Sequence, residues 1–117
     1  MTREQIEKHA KEKFGTQPEH LWLKYPQTEV FRRSGSKKWY GIIMDIPQSK
    51  VGLDGDDVID VLVIKGDPYD IVHLCRMEGF APAYHMNKKH WFSVILCNAS
   101  DEGLVYSLID RSYELAK

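Results

Sequence analysis

The residues best suited to chemistry sit in one short run, Tyr84-His85-Met86-Asn87-Lys88-Lys89-His90-Trp91. It gathers two ammonium groups, two imidazoles, an amide and two large aromatic rings into one connection. Ammonium groups meet phosphate oxygens, while aromatic or imidazole rings stack on bases, which is the combination a groove or single-strand binder uses. A second basic cluster surrounds a glycine turn, Arg32-Arg33-Ser34-Gly35-Ser36-Lys37-Lys38. The other reading of both clusters is a charged, solvated turn, and for the second an edge hairpin protected by its charges.

Metal and catalytic chemistry are not expected. His85 and His90, with Asn87 between them, fall short of the three or four ligands at recurring spacings that a zinc site needs. Structural hydrogen bonding is their expected use. The run Asp54-Gly55-Asp56-Asp57 lacks a calcium loop's alternating ligands and closing glutamate, and Lys65 stands near the place where that glutamate belongs. His73 and Cys75, two apart on a predicted helix, point in different directions. No Gly-x-Ser-x-Gly, P-loop, Gly-x-Gly-x-x-Gly or His-Glu-x-x-His pattern occurs, so neither an enzyme nor a cofactor is expected.

The elements that must hold these residues follow from capping and periodicity. Thr2 and Gln5 form a capping box, and Ile6, Ala10 and Phe14 repeat at fourfold spacing up to Gly15, which predicts a helix over 3–14. The pairs Glu4/Lys8 and Glu7/Lys11 on its other faces read as solvated surface. Residues 28–33 and 39–46 predict two strands around the Gly35 turn. Tyr40, Ile42, Met44 and Ile46 then share one face of a sheet whose other face is partly open to water. After the acidic loop, Val58–Lys65 is β-branched enough for a third strand. Asp67-Pro68 opens a helix over 68–78 that closes at Gly79. Phe80–Tyr84 predicts a short or edge strand because of Pro82, and Trp91–Leu96 the last one. A final helix opens at Ser100-Asp101-Glu102, with Leu104, Val105, Leu108, Ile109, Ser112 and Leu115 as its stripe. The order α-β(3)-α-β(2)-α implies an α+β, two-layer sandwich with the helices on one face of an antiparallel sheet.

Composition narrows the class. With 117 residues, the chain forms one domain with one core, residues 1–117. No apolar run reaches membrane-spanning length and the first residues are charged, so a cytoplasmic chain without membrane contact, and a monomer, are expected. Cys75 and Cys97 each have apolar neighbours and are expected to be buried, reduced thiols. Trp22, within Leu21-Trp22-Leu23, is expected in the core. A net charge of -1 gives no whole-molecule attraction to nucleic acid, so any such binding must come from a local patch.

The run Pro82-Ala83-Tyr84-His85-Met86-Asn87-Lys88-Lys89-His90-Trp91 closely resembles the signature of the MmcQ/YjbR family. The rest of the chain falls in the family's order, through Val30-Phe31-Arg32, Trp39-Tyr40-Gly41, Lys65-Gly66-Asp67 and Leu108-Ile109-Asp110-Arg111-Ser112-Tyr113. The resemblance implies a fold similar to type III secretion chaperones and a DNA-binding role through a "double wing" of β-hairpins. We map the wings onto the 32–38 turn and the 87–90 connection from their charge and turn content. Arg32, Arg33, Lys37 and Lys38 then form one contact set, and His85, Asn87, Lys88, Lys89, His90 and Trp91 the other.

Two functional classes follow. The first is a low-specificity binder of the duplex DNA backbone; about three or four neutralised phosphates would give a log-log salt slope near -3. Alternation along the strand lets only one of Arg32 and Arg33 face a given groove. The second is a protein-interaction or chaperone-like adaptor that docks a partner on the open sheet face, for which exposed Trp39, Ile43 or Leu62 would speak. An apolar groove favours the second, and a positive strip joining the two turns favours the first. The loop Asp54–Asp57 would repel phosphate if it lay beside the wings. Small-molecule binding near Tyr84, His85, Asn87 and His90 requires a concave pocket.

Overall fold

Thr2 caps helix α1 (Arg3–Phe14) with the reciprocal capping box, and Gly15 ends it in the left-handed conformation at φ 68°. The computed structural model describes residues 1–117. Strands β1 (Glu29–Arg32), β2 (Trp39–Pro47) and β3 (Val58–Lys65) follow, then helix α2 (Pro68–Leu74), strands β4 (Phe80–Pro82) and β5 (Trp91–Ile95), and helix α3 (Glu102–Leu115). The element order is therefore the expected one. The five strands form one antiparallel sheet in the order β1-β2-β3-β5-β4.

All three helices lie on one sheet face. Ile6 and Ala10 of α1, Ile71 and Leu74 of α2, and Val105 and Ile109 of α3 share a core with Ile43, Leu62, Ile64, Phe92 and Val94. Of the stripe expected on α3, Val105, Ile109 and Ser112 are fully buried, and Ser112 ties helix to sheet. Its hydroxyl donates to Tyr40 O at 2.5 Å and accepts from Lys65 N at 2.8 Å.

The other face is covered in large part. Val30, Ile42, Ile46, Val61, Val63 and Ile95 form a second core there, closed over by Val51, Leu53, Ala83, Tyr84 and Met86 from the connections. Loops thus serve as a thin third layer, and Ile43 and Leu62, on the helix side, are buried.

Tyr40 leaves the face of Ile42, Met44 and Ile46, because the β1/β2 register shifts between Phe31 and Arg32, with Phe31 opposite Gly41 and Arg32 opposite Trp39. Such an irregularity turns one side chain to the opposite face. Tyr40 consequently packs under the helices and donates to Thr16 Oγ1 at 2.6 Å, and burial pushes its hydroxyl up to about 12.

Helix α2 ends at Leu74 instead of running to 78. The chain turns early so that Phe80 can meet Val94, and Gly79, at φ 92°, accepts from Ile95 N through its carbonyl. Trp22 is 38% exposed, edge-on to Trp39 with 6.0 Å between ring centroids. Cys97 is exposed, and Cys75 is only half-buried, its thiol pushed up by desolvation. No helix is long and apolar enough to cross a membrane.

Candidate nucleic-acid interface and the adjoining groove

Asn87 builds the second basic turn. Its side-chain oxygen accepts from Lys89 N at 2.8 Å, and its carbonyl from His90 N and Trp91 N. This is an Asx-type local bond, which frees the turn from any need for a strand partner. Gly66 N donates to His90 O at 3.0 Å, tying the turn to the end of β3. Lys88, Lys89 and His90 stand exposed, and neither lysine has an intramolecular acidic partner.

Trp91 does not belong to that exposed set. At 8% exposure it packs in the second core, with the Lys65 ammonium 5.2 Å from its ring centroid. It anchors the turn from below and presents no free face for stacking. His85 is exposed and holds φ at 60°, the one non-glycine positive φ in the chain, with its ring 4.0 Å from that of Tyr84.

The first basic turn is largely spent on the fold. Arg32 Nε donates to Glu19 at 2.7 Å and its Nη1 to Lys37 O at 3.0 Å. Arg33 donates to Tyr113 O at 2.6 Å, its guanidinium 4.3 Å from the Tyr113 ring centroid. Lys38 Nζ donates to Lys117 O at 2.5 Å. Arg33 thus satisfies a carbonyl in the last turn of α3, where cations are favoured, and Lys38 reaches an oxygen of Lys117 just past the helix. Lys37 is the exposed cation of this set without such a commitment.

Strand pairing decides where the turns lie. Arg32 pairs with Trp39, and Lys65 with Trp91. The 33–38 turn, Lys65 and the 87–90 turn therefore open at one end of the sheet. Pro47 pairs with Val58 at the other end, and the loop Asp54–Asp57 lies there. The acidic loop is thus remote from both turns.

Beside the basic end a groove of about 510 Å3 runs along β2 on the face away from the helices. Ile42, Met44 and Ile46 form its floor, Trp22, Tyr25 and Trp39 one wall, and Tyr84, His85 and Met86 the other. Asp45 contributes to the rim, but alternation aims its side chain at the helix face with its cross-strand partner Asp60, which binds Arg3.

A polar cleft on the helix side was not legible beforehand. Glu29 is 3% exposed on edge strand β1 and lies 3.2 Å from Arg3 Nη1. Burial, then hydrogen bonding to and charge on Glu7, push its carboxyl up to about 7 against the opposing pull of Arg3. Glu7, expected as solvated surface, instead faces this cleft with His20 and Glu12. The available signal was a carboxylate two residues from Phe31, on the same inward-facing side of the strand.

The family model described as YjbR matches residues 11–115. The uncharacterized protein YyaQ of Bacillus subtilis (strain 168) is 45% identical over 117 residues, which cover 100% of this chain and 99% of that protein. A crystal structure of a Pseudomonas syringae protein superposes with a TM-score of 0.96 at 41% identity, over 100% of both chains. A Deinococcus radiodurans crystal structure with a DUF419 domain gives a TM-score of 0.75 at 24% identity, over 97% of this chain and 77% of that one, a likeness of fold.

Proposed function

The chain belongs to the YjbR family, and for this member we propose a non-enzymatic role in binding the nucleic-acid backbone from the basic end of its sheet. One observation carries the proposal: strand pairing brings the Lys37 turn, Lys65 and the Lys88-Lys89 turn to the same end, while the acidic loop is at the other. Lys37, Lys88 and Lys89 are exposed there and have no acidic partner within the chain, although exposed Asp67 follows Lys65 by two residues at the same end. Arg33 and Lys38 act in this scheme as supports that hold the Lys37 turn against the C-terminal end of α3, and Arg32 braces it from Glu19. A protein-docking role is the second reading: the apolar groove along β2, with half-buried Trp39 in its wall, favours it, whereas Ile43 and Leu62 are buried under the helices and offer it nothing.

The test is fluorescence anisotropy of a labelled random duplex at several salt concentrations. About four lysine–phosphate contacts give a log-log slope near -3.6, and Lys88→Ala/Lys89→Ala should reduce its magnitude by about 2 and weaken binding at every salt concentration. Absence of binding by the unaltered protein at low salt would end this proposal.

A further inference from the structure

The groove along β2 has walls suited to one kind of occupant. Trp22, Trp39, Tyr25 and Tyr84 offer aromatic surface and Met44 a thioether, and the one carboxylate residue of the lining, Asp45, is set toward the helix face by strand alternation. Such walls favour a flat, neutral ring. Its volume of about 510 Å3 lies within the range of small-ligand pockets.

Charge enters at one mouth only. Lys37 and Lys38 immediately precede Trp39, and Lys88 follows Met86 by two residues, so both basic turns flank the same end of the groove. At the other end Pro47 leads into Gln48, whose N–H donates to Asp57 O at 2.8 Å in the acidic loop. A ring with an anion on one side fits this polarity. A strand threading the whole groove does not, because its next phosphate would meet the carboxylates.

We propose that the groove receives an unstacked nucleobase while the adjoining phosphate lies on Lys88 and Lys89. This rests on the backbone-binding role and deepens it: the preferred nucleic acid is then a single strand, or a duplex with a displaced base. Stacking tolerates any base, since each has a π face.

The test compares labelled probes of equal length, about ten nucleotides: a single strand, an abasic single strand with the same phosphates, and a duplex. The base-bearing strand should bind roughly 5- to 150-fold more tightly than the abasic one and quench tryptophan fluorescence. Trp22→Ala/Tyr25→Ala, at two exposed positions, should remove most of that difference and leave duplex binding unaltered. Equal binding of the two single strands overturns the groove assignment, and if the duplex still binds, the backbone role stands. Saturable quenching by a nucleoside monophosphate without duplex binding overturns the backbone role and assigns the groove to free nucleotides. No binding of any probe overturns both.

Discussion

Among single residues, Glu29 makes the clearest claim on solution behaviour. Its carboxyl titrates near 7 in the fold against an ordinary 4.5, chiefly because burial and Glu7 disfavour the charge. Below pH 4.5 the group is protonated in folded and unfolded chains alike and adds no slope. Between 4.5 and about 7 the folded state retains a proton that the unfolded state releases, so stability falls as pH rises and levels off above 7. We expect this to amount to roughly 1 to 3 kcal/mol. Glu29→Gln should flatten the decline in urea unfolding between pH 4.5 and 8; an unchanged slope would refute the assignment. The sequence gives little notice of this residue, as a carboxylate in a strand reads as exposed until its neighbours are known. Arg33 and Lys37 illustrate the same difficulty: their charge is equally visible, but only the position of α3 shows that Arg33 is engaged and Lys37 is free.

For the elements, local signals were strong where they were short-range. The Thr2–Gln5 capping box, the Asp67-Pro68 helix start and the Asp101 cap are all formed as their residues imply. What escaped depended on pairing between distant segments: the register shift that turns Tyr40 toward the helices, and the loops that cover the second sheet face. The connection from β3 to α2 makes a firm prediction. A Cβ on Gly66 would lie 2.9 Å from the Phe92 ring and 3.1 Å from Ile71 Cγ1, both in the main core. Gly66→Ala should therefore cost about 1 to 3 kcal/mol by forcing those side chains apart, read as a lower urea midpoint. A midpoint equal to that of the unaltered protein would show that the turn yields freely.

For the whole molecule, composition suggested an indifferent partner for polyanions, and its net charge of -1 is a true sum. It conceals a separation that only topology reveals. The antiparallel order sends the lysine-bearing turns one way and Asp54, Asp56 and Asp57 the other. The family resemblance and the α+β order were readable from the chain, whereas this arrangement required knowing which strand ends coincide.

That separation acts before any contact forms. A nearly neutral body with opposite charges at its two ends feels little net pull toward a polyanion but a strong torque, which turns the lysine end forward as it approaches. Encounter should consequently depend on orientation as well as on net charge, and the acidic loop enters both. Replacing Asp54, Asp56 and Asp57 with Asn should raise the association rate at low salt several-fold and leave dissociation nearly unaltered in stopped-flow measurements. A change confined to dissociation would instead mean that the acidic loop touches the bound strand. In the first case the aspartates act on the approach, by lowering the net pull, and take no part in holding the ligand.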